Sequence, residues 1–103
     1  MGLRVYNGGT YDLLHQGHLY VFGQMRRLAG EGGKVIIGLN TDDFVSEFKG
    51  HPPVQSYEDR AAVLSGLRDV DIVIPNVGGP DAKPAILRAR PNVIAVGRDW
   101  WSR

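Results

Sequence analysis

LRVYNGGTYDLLHQGH, residues 3–18, is the stretch whose reading decides the fold. LRVY (3–6) is a short apolar run that stops at Gly8-Gly9, the pattern of a buried strand entering a turn. The segment from Asn7 to His18 is too polar for a core and too rich in glycine for a helix interior. Beyond it, HLYVFGQMRRLA (18–29) sets Leu19, Phe22, Met25 and Leu28–Ala29 at helical spacing and closes on GEGG. A strand, a glycine turn and a helix therefore open the chain.

The same alternation continues outward. KVIIGL (34–39) has the continuous apolar character of a buried strand, and TDDFVSEF (41–48) opens like a short helix, with a capping Thr and two acids. KGHPPVQS (49–56) is a proline-interrupted loop, and SYEDRAAVLSGLRD (56–69) is a helix opened by a Ser cap. DIVI (71–74) predicts a strand, PDAKPAILRAR (80–90) a helix and NVIAV (92–96) a fourth strand. Strand and helix alternate without an internal repeat or a low-complexity linker. The pattern predicts an α/β fold over residues 1–103 as one domain: a Rossmann-like open parallel sheet, helices on both faces, joined by right-handed crossovers.

Composition narrows the class. A chain of 103 residues with 43% apolar content is an ordinary globular sequence rather than a disordered one. The absence of Cys removes disulfides and thiolate metal sites and suits a reducing compartment, so a cytoplasmic location is expected. Neither a long apolar span nor a basic-then-apolar leader is present, so no membrane insertion is expected. A net charge of +1 gives no general attraction to nucleic acid, and any anion site must be local.

Open parallel sheets bind ligands at the carboxyl ends of their strands, where the strand order reverses. NGGTYD follows the first strand and GRDWW (97–101) follows the fourth, so adjacent placement of those strands would put both segments on one crevice. Gly8 and Gly9 permit a sharp turn and close backbone approach to a ligand. A helix beginning near Gly17 offers free N–H groups and a positive dipole end to phosphate. His15 and His18 fall on one face of its first turn, where two imidazole donors can stabilise charge on a phosphoryl oxygen. Zinc is a poor fit for that pair, since His51 is the only other histidine.

GTYDLLHQGH (9–18) resembles the signature of the cytidylyltransferase family within the HxGH nucleotidyltransferase superfamily. Leu13-Leu14 after the Asp, where pantetheine-phosphate and nicotinamide-mononucleotide adenylyltransferases usually carry Pro, favours the branch of the glycerol-3-phosphate and phosphocholine or phosphoethanolamine enzymes. That branch also holds heptose-phosphate adenylyltransferases and archaeal-type FAD synthetases. LNTDDF (39–44), SYEDR (56–60) and LRDVDIVIP (67–75) extend the likeness, closest to glycerol-3-phosphate cytidylyltransferase. The resemblance implies His15, His18, Lys49 and Arg68 as catalytic residues. It implies Gly8, Gly9, Thr10, Tyr11, Asp12, Gly17, Gly97, Asp99 and Trp100 as nucleotide-binding, and Arg60 and Asp71 as substrate-binding. In GRDW (97–100) Arg98 replaces an Asp of the family's segment.

The activity implied is transfer of CMP from CTP to a phospho-alcohol, foremost glycerol-3-phosphate, with release of pyrophosphate. Mg²⁺ on the triphosphate and a homodimer are expected from the same resemblance, with no metal held by the protein itself. Relative to the family, the chain lacks the usual fifth strand and the last helix with its Arg-x-x-x-Ser-Thr-like phosphate clamp, which implies a domain truncated at its carboxyl end. An ATP-dependent adenylyltransferase for a sugar phosphate such as a heptose phosphate, supported by KGHPPV (49–54), is the alternative. A non-catalytic nucleotide-binding or assembly module is the second alternative.

Overall fold

A computed structural model describes residues 2–78 and 83–95. The elements run β1 (Arg4–Gly9), α1 (Gln16–Ala29), β2 (Lys34–Asn40), α2 (Asp42–Lys49), α3 (Tyr57–Ser65), β3 (Ile72–Asn76), α4 (Lys83–Ala89) and β4 (Val93–Ala95). The four strands form one parallel sheet in the order β3-β2-β1-β4. Val5 of β1 is level with Val35 of β2 and Val93 of β4, and Ile36 with Ile72 of β3. The chain steps outward from β1 to β3 and then returns to the far side of β1. The strand order therefore reverses between β1 and β4, and a parallel sheet opens its ligand crevice there, at the carboxyl ends.

Strand periodicity explains why both faces are covered. Val5, Val35, Ile37 and Leu39 point to one side, where Phe22, Met25 and Ala29 of α1 and Leu64 of α3 complete a buried cluster. Tyr6, Ile36 and Ile74 point to the other, against Ala85 and Ala89 of α4. A strand buried on both sides reads as an unbroken apolar run, which is why KVIIGL carries no alternation.

Several boundaries differ from the sequence reading: β1 runs on through Gly8 and Gly9, which pair with β2 instead of turning, and three others have a local reason. α1 starts at Gln16 because His15, rather than a residue nearer Gly17, serves as N-cap. α3 ends at Ser65, where Gly66 N–H bonds back to the Ala62 and Val63 carbonyls and leaves residues 66–70 as a turn. β3 continues through Pro75 to Asn76, which an edge strand tolerates because the missing N–H costs no ladder bond. Thr41 and Ser56 cap α2 and α3 as expected, accepting from Phe44 and Asp59 N–H at 3.2 Å each.

Candidate active site

The turn between β1 and α1 is organised by its two histidines. His15 Nδ1 accepts the N–H of Gly17 at 3.0 Å, and His18 Nδ1 accepts the N–H of His15 at 3.0 Å. This is a reciprocal capping box with imidazoles in place of the usual hydroxyl and carboxylate. A ring nitrogen that accepts an N–H bond carries no proton, so in the neutral ring the hydrogen sits on Nε2. Both rings, with centroids 4.1 Å apart, thus carry an Nε2–H donor beside the start of α1. Burial, and then the neighbouring His15, lower the pKa of His18, which favours this neutral form near pH 7. Gly17 is required for the arrangement, since a Cβ there would stand 2.8 Å from His15 Cε1.

Gly8 and Gly9 are the last two residues of β1, paired with Gly38 and Leu39 of β2, rather than the turn expected from the sequence. A Cβ on Gly9 would meet the Tyr11 ring at 2.9 Å, so the space cleared at Gly9 is taken by that ring, whereas Gly8 stays exposed at the mouth. Tyr11 packs edge-on to His18, with centroids 5.7 Å apart, and against Phe22 at 5.4 Å. Its hydroxyl is buried, and burial raises its pKa. Tyr11 therefore buttresses His18 from the core side.

A row of buried amides closes the carboxyl ends of β1, β2 and β3. Asn76 Nδ2 donates to Asn40 Oδ1 at 3.0 Å, and Asn40 Nδ2 donates to Thr10 Oγ1 at 3.0 Å. Gly78 N–H donates to Asn76 Oδ1 at 3.1 Å. The sequence reading overlooked Asn40 and Asn76. The available signal was a polar side chain as the last residue of an otherwise apolar strand. Asn7 makes a comparable link on the other side, donating to the Ala95 carbonyl of β4 at 2.7 Å.

Arg60 and Asp12 bind the surrounding loops to this platform. The Arg60 guanidinium, buried at 1% exposure, donates to the carbonyls of Gln55, Thr10 and Asn40 at 2.8–2.9 Å and to Asp42 Oδ1 at 2.6 Å. Its expected contact with a substrate phosphate is not the contact it makes, because nearly all its donors are used to join α3 to the ends of β1 and β2. Asp42, at the start of α2, was not among the expected site residues. Asp12 accepts the N–H of Val54 at 2.7 Å and of Gln55 at 2.9 Å.

The remaining expected residues are scattered. Lys49 ends α2 rather than lying on a loop; it is exposed, with Nζ 5.9 Å from the Phe48 ring centre. Arg68 is 93% exposed and borders a pocket of about 250 Å³ with Leu19, Phe22, Leu67 and Asp69, one turn along α1 from His18. Asp71 does not join the crevice. It precedes β3 at the amino end of the sheet, level with Val35, about 16 Å from the far end of β2 at the rise of a strand. There it accepts the Val35 N–H at 2.8 Å and pairs with Arg26. Burial pushes its carboxyl up, but these two partners outweigh burial and hold it below the ordinary carboxylate range. Gly97, Arg98, Asp99 and Trp100 lie outside the described residues. Among the described residues, no helix is long and apolar enough to cross a membrane.

A parallel α/β sheet, a glycine pair closing its first strand and paired histidines at the following helix N-terminus are the attributes of a nucleotidyltransferase of the Rossmann-like kind. The chain belongs to the cytidylyltransferase-like family, whose profile matches residues 6–103. It is 34% identical to a Korarchaeum cryptofilum FAD synthase over 99% of its length and 68% of that protein's. It is 36% identical to a Staphylococcus aureus glycerol-3-phosphate cytidylyltransferase over 94% of its length and 70% of that protein's. A Caulobacter vibrioides bifunctional protein HldE is 38% identical over 96% of this chain but only 20% of its own length. The chain thus spans about two thirds of FAD synthase relatives, 64% in the case of Pyrococcus horikoshii. The fold is also that of the lipopolysaccharide core biosynthesis protein of Thermoplasma volcanium, with a TM-score of 0.76 at 24% identity over 91% of this chain and 73% of that one.

Proposed function

We propose that the chain transfers a nucleoside monophosphate from a nucleoside triphosphate to a phosphate monoester, releasing pyrophosphate. The observation that carries the reading is the pair of Nε2–H donors fixed by the capping box at the N-terminus of α1, beside the reversal point of the sheet. An acceptor phosphate is already anionic near neutral pH, so the reaction needs no strong base. It needs in-line positioning and stabilisation of charge on the α-phosphoryl oxygens. In this reading the Nε2–H groups of His15 and His18 and the positive end of the α1 dipole bind the triphosphate, since the Gly17, His18 and Leu19 N–H groups are already taken up by His15. Lys49 and Arg68, both exposed, supply cations for the substrate phosphates in this reading. Mg²⁺ arrives on the triphosphate, whose negative charge it offsets; among the described residues there is no cluster of three or more His or acidic side chains suited to hold it.

For substrates we propose CTP and glycerol-3-phosphate, supported by the likeness to the S. aureus enzyme. A second reading, ATP with a larger phosphorylated acceptor, draws on the relatives named FAD synthase and on the tilted pair of Phe44 and Phe48, centroids 5.0 Å apart, of which Phe48 is 53% exposed. A homodimer is also part of the proposal, supported by exposed Leu19 and Tyr20 on α1 and Val63 on α3. Pyrophosphate release tests the reading, with CTP or ATP offered against glycerol-3-phosphate, a heptose phosphate and a flavin mononucleotide. Turnover with CTP and glycerol-3-phosphate is expected. Turnover only with ATP transfers the assignment to the second reading, and silence with every pair removes the enzymatic one.

A further inference from the structure

The residues 51–55 that follow α2 have little to hold them. Two are prolines without an N–H, and among the described residues no backbone–backbone hydrogen bond involves any of the five. They are nevertheless fixed, and by the turn that leads to His15. Both Asp12 carboxylate oxygens accept backbone N–H groups of this loop, from Val54 and Gln55. Leu13 N–H donates to Gln55 Oε1 at 3.2 Å, and Arg60 Nε donates to the Gln55 carbonyl at 2.9 Å. Gln55 is gripped at its N–H, its carbonyl and its side chain.

The turn is shaped for this grip. Tyr11 and Leu13, on either side of Asp12, have φ of 51° and 59°, the left-handed region that residues with a Cβ rarely adopt. Such backbone persists only where the surroundings over-determine it, and it clusters where side-chain placement matters. What the two unfavourable residues accomplish here is to present Asp12 to the loop.

We propose that Asp12 is a positioning residue for the acceptor rather than a nucleotide ligand. Its carboxylate straps residues 51–55 to the histidine turn and so fixes the segment that follows Lys49 and carries His51, an ammonium and an imidazole suited to a phosphate monoester. The assignment rests on the nucleotidyl-transfer reading for its kinetic consequence, but not for the strap itself.

Asp12→Asn is nearly isosteric and directs an NH₂ at a backbone N–H, donor against donor, so one arm of the strap is lost. In the unliganded chain, amide exchange at Val54 and Gln55 is expected to rise about tenfold, with the exchange of β1 and β2 unchanged. In turnover the acceptor KM is expected to rise about tenfold, while kcat and nucleotide KM stay within about threefold. Val54→Pro deletes a donor from the loop side without touching Asp12, at a side chain 78% exposed, and the same split is expected. Unchanged exchange in Asp12→Asn overturns the strap. A rise in nucleotide KM with acceptor KM unchanged overturns the assignment and returns Asp12 to the nucleotide. If the wild-type chain turns over no substrate pair, the exchange measurement still decides the strap and only the transfer reading fails.

Discussion

His15 and His18 do two things with one geometry. Their Nδ1 atoms cap α1, and that same use leaves the Nε2–H groups as the edges that the proposed transfer would use. Protonation of His18 Nδ1 ends its capping bond, so the cap and the proposed chemistry share a pH dependence. The sign follows from His18, whose folded pKa lies below its ordinary 6.5. The unfolded chain then binds the proton more readily, and stability rises with pH. The contribution is complete above pH 6.5 and is lost as pH falls through the lower folded value. His18→Gln removes the titration but keeps a side-chain acceptor at the third helical position, where Gln serves in capping boxes. Urea unfolding from pH 8 to 5 should show a wild-type loss of stability below about pH 6.5 that the variant lacks. At pH 7.5 the variant should retain its stability and lose about a hundredfold in turnover, the cost of one donor to a developing oxyanion. A variant with the wild-type pH profile would mean that another group titrates. Arg60 shows the opposite relation between pattern and role. Nothing in SYEDR distinguishes a solvated or phosphate-binding arginine from one whose guanidinium is enclosed, because burial of the first turn of α3 depends on strands far away in the chain.

Helices and strands were legible where the periodicity is local. All eight elements, the Thr41 and Ser56 caps and the buried character of β2 follow from spacing and capping chemistry within a few residues. The N-terminus of α1 was less so, since histidine is an unusual cap and its role depends on Gly17. Asp71, which the resemblance implied as substrate-binding, is another such case, since a position in the sequence does not reveal that β3 starts at the opposite end of the sheet from the crevice. The α1 terminus sets two effects against each other in Gly17→Ala. Alanine has the better helix propensity by about 1 kcal/mol, less in the first turn. Its Cβ would stand 2.8 Å from Cε1 of His15, a side chain free to rotate away. The clash is therefore relieved cheaply, and the cap bond is what is lost, at about 1 kcal/mol. The two terms nearly cancel, and thermal unfolding should change by less than about 1 kcal/mol. Turnover should fall by about tenfold or more, because the released His15 ring no longer holds Nε2–H in place. Equal losses of stability and activity would show that the cap, not the orientation of the ring, is what Gly17 protects.

At the scale of the whole molecule, the sheet order makes β1 the strand on which everything depends. It lies between β2 and β4, supplies Asn7 to the β4 carbonyl, and runs directly into the turn that carries Thr10, Asp12 and His15. A ligand seated at its carboxyl end would border elements from both halves of the fold at once, including the N-terminus of α1. Such a ligand binds the native chain and not the unfolded one, and it stabilises by RT ln(1 + [L]/Kd), about 2.7 kcal/mol at a hundredfold excess over Kd. In a domain of this size each kcal/mol moves the midpoint by about 4–8 °C. CTP with Mg²⁺ at that saturation should therefore raise Tm by about 10–20 °C. Binding of this kind requires no turnover, so the shift is expected even where the acceptor has been guessed wrongly. A larger shift with ATP would reverse the choice of base and favour the second reading of the substrates. If neither triphosphate moved Tm at millimolar concentration, the crevice at β1 and β4 would hold no nucleotide, and the transfer chemistry proposed for it would fall with it.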